Sequence, residues 1–294
     1  MKTILLTGAT GFLGSYLAEA LCPGNNIIVL KRSFSKTDRM TNILPRVKCY
    51  DIDRLPIENA FVENKIDMVI HAATNYGRGT AGLSEVMEAN LYFPTRVLEC
   101  CINHRMPIFI NTDTVVGRDL NDYALAKKQF LEWLQRYQGS VQVINLKLEH
   151  FYGPKDDINK FVTRVIQKVL KDEVIDLTAG EQRRDFIYIE DVVSAYMHVI
   201  EQLSNIPKTC FEAEVGSGKV ISIKELVETI KAIAKSKSIL NFGAVPYRDN
   251  EVMESQADIS GMLQLGWKPS ISLAEGLKRT IEYERSLLCC AKNS

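Results

Sequence analysis

Tyr123-Ala124-Leu125-Ala126-Lys127 places a phenol and an ammonium one helical turn apart on the same helix face. A nearby ammonium favours the phenolate, so the pair implies a tyrosine of depressed pKa. Such a phenol exchanges a proton with a carbinol or carbonyl oxygen near neutral pH. One strand and loop earlier runs Asn111-Thr112-Asp113-Thr114, where the Thr112 hydroxyl is expected to donate to that same oxygen.

A second set of residues points to a dinucleotide. Thr7-Gly8-Ala9-Thr10-Gly11-Phe12-Leu13-Gly14-Ser15 follows the first apolar run and opens an amphipathic stretch. Glycines at 8, 11 and 14 suit a tight turn, a close backbone approach to a pyrophosphate and close helix–sheet packing, in that order. The helix N-terminus then offers free N–H groups to the phosphates. Expected cofactor contacts are Gly8, Thr10, Gly11, Phe12 and Leu13. Lys31-Arg32 close the second apolar run, where an NAD-selective site carries a carboxylate for the ribose. A basic pair there suits the 2′-phosphate of NADPH, Arg32 ahead of Lys31, and a solvated loop charge is the other reading. Asp51-Ile52 fall at the adenine edge. Ala72-Ala73 are small residues where backbone must approach the cofactor, while the preceding His71 reads as structural.

These groups need a scaffold that delivers them to one edge. Apolar, β-rich runs at 4–7, 27–30, 47–50, 68–71, 108–111 and 141–146 read as buried strands, separated by helical patterns that include 11–21, 84–104 and 123–137. Buried strands alternating with helices imply a parallel, doubly wound α/β sheet of Rossmann type. After Tyr152-Gly153-Pro154 the texture changes to helices at 161–171, 189–203, 223–234 and 273–287 with shorter, irregular strands. The expected division is 1–150 for the cofactor, with some later segments returning to it, and 151–294 mainly for a substrate lobe.

Composition excludes several classes. Among 294 residues, 36 Lys plus Arg balance 36 Asp plus Glu, so no global field attracts nucleic acid or an anionic membrane. A hydrophobic share of 46% with 24% charged residues argues against disorder. Seven cysteines without a C-x-x-C pair suggest a reducing compartment, and no metal site is expected. No apolar run is long enough for a signal segment or a membrane span, which makes the cytoplasm the expected location.

The glycine turn, the Thr112–Tyr123–Lys127 set and Arg184-Asp185-Phe186-Ile187-Tyr188 together resemble the extended short-chain dehydrogenase/reductase family of nucleotide-sugar epimerases, dehydratases and reductases, over essentially the whole chain. Within it, Leu146-Lys147-Leu148-Glu149-His150-Phe151-Tyr152-Gly153, Gly180-Glu181-Gln182-Arg183-Arg184-Asp185-Phe186 and Arg248-Asp249-Asn250-Glu251 are most similar to the bacterial CDP-paratose and CDP-abequose synthases. That resemblance implies NADPH-dependent reduction of the C4 ketone of CDP-4-keto-3,6-dideoxyglucose for O-antigen synthesis. It makes Tyr123 the proton donor and Lys127 its ribose-binding partner, with Thr112 beside them. It also makes Arg184 and Arg248 grips for the substrate diphosphate, and implies a homodimer through a four-helix contact of 84–104 and 123–137. An NDP-sugar 4-epimerase with tightly held NAD is the rival within the family. A redox sensor of the same fold is the rival outside enzymology.

Two departures from the family pattern carry information. Thr112-Asp113-Thr114 is similar to the Thr-Asp-Glu of 4,6-dehydratases, but Thr114 stands in place of the glutamate and a hydroxyl does not readily abstract a carbon-bound proton. Glu149-His150 stands where many members have a neutral residue and Asn. His150 is expected to touch sugar or phosphate, and Glu149 to pair with Lys147 if its role is structural. Tyr76, Gly77 and Arg78 are expected near the pyranose, as is Asp113.

Overall fold

The computed structural model describes residues 1–77, 79 and 81–292, the last three by their backbone alone. Arg78 lies outside the described residues. In chain order the strands are β1 (Thr3–Thr7), β2 (Asn26–Lys31), β3 (Val47–Asp51), β4 (Met68–His71), β5 (Ile108–Thr114), β6 (Gln142–Leu148), β7 (His150–Tyr152), β8 (Ile175–Leu177), β9 (Arg183–Tyr188), β10 (Cys210–Val215), β11 (Val220–Ser222), β12 (Leu240–Phe242) and β13 (Glu254–Ser255). The helices are α1 (Phe12–Leu21), α2 (Glu58–Val62), α3 (Leu83–Met87), α4 (Phe93–Asn103), α5 (Asp122–Arg136), α6 (Phe161–Leu170), α7 (Ile189–Glu201), α8 (Ile223–Ala234), α9 (Ser260–Gln264) and α10 (Leu273–Lys292).

The chain divides into two compact units. Unit 1 takes Met1–Leu148, Val193–Glu214 and Ser260–Trp267; unit 2 takes Glu149–Val192, Val215–Ile259 and Lys268–Ser294. Unit 1 is built on a seven-stranded sheet of order β10-β6-β5-β4-β1-β2-β3. All the neighbouring pairs from β3 through β6 are parallel. The order reverses at β1, which pairs β2 on one side and β4 on the other, so a crevice opens at its carboxyl end. Leu5, Val69, Phe109 and Val143 from four of these strands pack with Val97 of α4 and Phe130 and Leu134 of α5 in one buried cluster. Near-continuous apolar strands are what a sheet covered on both faces requires.

The expected single helix over 84–104 is broken. α3 ends at Met87, Glu88–Tyr92 form a π turn, and α4 resumes at Phe93 with Pro94 in its first turn. Pro94 has no N–H to give to the carbonyl four residues back, and its ring would clash there, so the widened turn relieves both defects. Asn90 sits inside that turn, fully buried.

Unit 2 has a small sheet of order β11-β9-β13, with β7 added to β9. Two buried carboxylates tie its loops. Asp185 accepts from Ser217 N (2.8 Å), Ser217 Oγ (2.6 Å) and Gly218 N (2.9 Å). Asp191 accepts from Ser270 N (3.0 Å), Ser270 Oγ (2.9 Å) and Ile271 N (2.9 Å). Asp185 lies within β9 beside Arg184, and Asp191 lies in the first turn of α7, which follows β9 directly.

Candidate active site

The glycine turn has the shape that a pyrophosphate needs. Gly8 has φ +72° and lies against the backbone of Ala72 and Ala73, where any Cβ would collide. A Cβ on Gly14 would strike the Gly8 carbonyl oxygen. Thr7 Oγ1 accepts from Ala73 N at 3.2 Å and pairs with His71 Nδ1 at 2.8 Å, which fixes the ends of β1 and β4 side by side. Gly11 is the N-cap of α1 and has no side chain to satisfy the first N–H groups, and no acid stands in the first turn. A helix N-terminus without a side-chain cap or an acid of its own suits an anion. Thr10, Phe12 and Leu13 follow on the same turn. His71 is fully buried, and burial holds its imidazole well below the usual range, helped by Lys127, so it is neutral as the structural reading requires.

At the end of β2, Arg32 Nε donates to Asp53 Oδ1 at 3.3 Å and the guanidinium lies 4.6 Å from the centre of the Phe34 ring. Lys31 Nζ reaches the Arg32 carbonyl at 3.4 Å. Asp51 Oδ2 accepts from Ser33 Oγ at 2.7 Å, which is the main reason its carboxyl sits below the usual range. Ile52 N donates to Lys31 O at 3.0 Å, so the turns after β2 and β3 are laced together.

Asn121 caps α5, its Oδ1 accepting from Ala124 N at 2.9 Å, and this sets Tyr123 in the first turn and Lys127 one turn later. Lys127 is buried and its Nζ donates to the Thr112 carbonyl at 2.8 Å. Burial lowers its pKa to about 8, against the pull of Asp113. The expectation of a depressed Tyr123 pKa does not hold. Burial pushes the phenol up, Tyr76 and Asp113 push it further, and hydrogen bonds with Thr114 and Thr74 pull it partly back. Desolvation is the largest of these effects, so burial decides the direction. The Tyr76 ring stands 5.1 Å from that of Tyr123.

The hydroxyls are arranged differently from the sequence reading. Thr112 Oγ1 is bonded to the Tyr196 hydroxyl at 2.6 Å, on the far side of β5 from Asp113. It is Thr114 and Thr74 that meet the Tyr123 phenol. Thr74 in turn donates to Asn90 Oδ1 at 2.7 Å, while Asn90 Nδ2 donates to Asn75 O at 2.7 Å. The π turn thus holds the loop after β4 against the phenol. Asp113, expected near the pyranose, is 2% exposed and accepts from Lys128 Nζ (3.0 Å), Asn145 Nδ2 (3.1 Å) and Thr114 N (2.7 Å). Its carboxylate is committed to the scaffold. Thr74, Thr114 and Asn90 had no spacing signal; only Pro94, four residues after Asn90, hints that this helix must widen.

In unit 2, Arg184 is buried and its Nη2 meets Glu251 Oε1 at 2.8 Å. Burial lowers its pKa while Glu251 and Glu149 support the charge. Arg248 is exposed in the turn before Glu251, whose N donates to the Arg248 carbonyl at 3.1 Å. Glu149 does not pair with Lys147, which bonds Glu212 at 2.8 Å instead. The chain leaves β6 at Leu148, so Glu149 turns away from the β6 side chains. Glu149 takes His150 Nδ1 at 2.6 Å, His150 N at 3.0 Å and the Ser255 hydroxyl. His150 is therefore oriented by a buried carboxylate, with its ring 5.8 Å from that of Phe186.

Among the described residues, no cluster of His, Cys, Asp or Glu could hold a metal ion, and no helix is long and apolar enough to cross a membrane. The model of the NAD dependent epimerase/dehydratase family matches residues 4–212. The CDP-abequose synthase of Salmonella muenchen is 37% identical over 290 residues, covering 95% of this chain and 97% of that protein. The CDP-abequose synthase of Salmonella typhimurium is 33% identical over 95% of this chain and 97% of its own. A UDP-glucose 4-epimerase from Thermotoga maritima, solved with UDP-glucose, shares the fold at a TM-score of 0.86 and 24% identity, over 97% of this chain and 99% of that one. A match spanning most of unit 1, together with relatives alike from end to end, shows that the chain belongs to the NAD dependent epimerase/dehydratase family.

Proposed function

We propose that the protein is an NADPH-dependent ketoreductase acting on C4 of a CDP-linked 4-keto-3,6-dideoxyhexose, with CDP-abequose as product. The observation that carries this reading is the Tyr123 phenol, held protonated beside Thr114 and Thr74 while Asp113 is tied to Lys128. A reduction needs one proton donor at the carbonyl oxygen. An elimination needs a second, carbon-directed acid–base group, and Thr114 with a committed Asp113 does not supply one. The similarity to CDP-abequose synthases supports the choice of nucleotide and sugar.

The glycine turn fits a dinucleotide, since only glycine at 8 and 14 lets the turn close against the Ala72–Ala73 backbone and bring the α1 N-terminus to the end of β1. Gly8, Thr10, Gly11, Phe12 and Leu13 would hold the pyrophosphate, Arg32 and Lys31 the 2′-phosphate, and Ala72 and Ala73 would admit the cofactor closely. The chemistry that NADPH would supply there, once held by these residues, is a hydride for the C4 carbon. Tyr123 Oη then gives its proton to the C4 oxygen, so the carbonyl becomes a carbinol and the phenol a phenolate. The Thr114 hydroxyl would donate to that phenolate, while Thr74, whose proton goes to Asn90 Oδ1, would only accept from the phenol before transfer; Lys127 would bind the ribose, its positive charge favouring the phenolate. Arg184, Arg248 and His150 in unit 2 would take the diphosphate and sugar, with Tyr76 against the pyranose. Unit 1 is thus assigned the cofactor and unit 2 mainly the substrate.

The test is purified protein with NADPH and CDP-4-keto-3,6-dideoxyglucose. NADPH should be oxidised in proportion to sugar reduced, and NMR of the product should show the abequose configuration at C4. Sugar epimers interconverting with no net loss of NADPH would make the protein a 4-epimerase and end the reductase reading.

A further inference from the structure

Phe34 is 71% exposed and lies under the guanidinium of Arg32. Asp53 is used twice at the same place. Its Oδ1 accepts from Arg32 Nε at 3.3 Å and its Oδ2 from Ser33 N at 2.8 Å. The Asp53 amide in turn donates to Asp51 Oδ1 at 3.1 Å, so the turn after β3 braces the turn after β2. Arg32 is thereby fixed at two points, by its Nε edge and by one flat face. Neither contact uses Nη1 or Nη2, the two atoms that fork a phosphate. The charges around it are Lys31 and Arg54 against Asp51 and Asp53, with Arg54 Nε 3.5 Å from Asp51 Oδ2, so the neighbours balance and the charge of Arg32 itself is left in excess.

We propose that Asp53 and Phe34 are positioning residues that hold Arg32 ready to fork the 2′-phosphate of NADPH, and so set the choice between NADPH and NADH. The inference rests on the NADPH reading above. A long arginine side chain loses rotamer freedom when it grips a phosphate, and a side chain already braced loses less. The carboxylate of Asp53 stays on the Nε edge and leaves the fork open, whereas a competing role would have it cover the fork.

Calorimetric titration with 2′,5′-ADP and with 5′-AMP, which differ by the 2′-phosphate alone, tests this without any sugar substrate. The unaltered protein should prefer 2′,5′-ADP. Asp53→Ala and Phe34→Ala should each cut that preference about tenfold while leaving 5′-AMP binding and thermal stability unchanged. Phe34→Tyr, which keeps the stacked ring, should retain it. A preference unchanged or raised in Asp53→Ala overturns the positioning role, because a carboxylate that competed with the phosphate would give that result. Absence of any preference in the unaltered protein overturns the NADPH reading itself, and this inference with it.

Discussion

Removing the Thr114 hydroxyl should slow the chemical step, because this group and Thr74 are the ones bonded to the phenol that must become a phenolate. Thr114→Val keeps the shape and should lower kcat about tenfold or more with little change in KM for the cofactor. Thr112→Val removes the bond to Tyr196 and leaves a buried hydroxyl unpaired. It should cost about 1–3 kcal/mol of stability with kcat near its original value. Steady-state kinetics and urea unfolding of the two variants decide between them; the opposite pattern would restore Thr112 to the catalytic place that spacing alone suggests. Tyr123 and Lys127 were readable because one helix carries both at a fixed interval. The neighbours of the phenol were not, since Thr74 and Thr114 come from two different strand ends and meet it only through the fold. The same holds for Asp113: its type matches an acid of the dehydratases, and only Lys128 and Asn145 reveal that it is committed elsewhere.

At the scale of elements, the strands of unit 1 follow from sequence because a strand buried on both faces leaves an unbroken apolar run. The run at 68–71 matches β4 in full, and the glycine turn leads into α1 as its spacing requires. What periodicity could not reveal is the π turn at Glu88–Tyr92, since one inserted residue shifts the phase without changing the apolar content. That turn has a mechanical consequence. It aims Asn90 at Thr74 and Asn75, accepting from Asn75 N at 3.2 Å and giving to Val86 O at 2.9 Å. Asn90→Ala strips partners from several buried groups at once and should destabilise the protein by about 1–3 kcal/mol. If the turn positions Thr74 at the phenol, kcat should fall as well while cofactor binding holds. A variant that loses stability yet turns over normally would reduce the π turn to a packing device. The short strands of unit 2 were less legible, because β13 has two residues and β7 three, too few for any alternation to register.

At the scale of the molecule, the zero net charge excludes broad electrostatic partners, so any partner of this chain must be recognised by local surface. The outer face of α3, the π turn and α5 offers one. Leu83, Met87, Tyr92, Trp133 and Tyr137 are all exposed on these elements, with Trp133 at 47%, and α3, the π turn and α5 pack against one another. Large apolar side chains gathered on one helical layer are uncommon on a monomer and mark an interaction site. We propose a second copy of the chain as the partner that covers them, two helices from each copy forming the four-helix contact that the family resemblance implies. Sedimentation velocity should then find a dimer at micromolar concentration. Trp133→Glu combined with Met87→Glu puts four charges into one symmetric contact and should yield a monomer that keeps its secondary structure. Because Trp133 shares α5 with Tyr123 and Lys127, the monomer also reports whether the contact stiffens the catalytic helix: kcat should fall with the dimer, and a fully active monomer would confine the interface to assembly. A protein already monomeric before substitution would leave that apolar face to another partner and remove the dimer from the proposal.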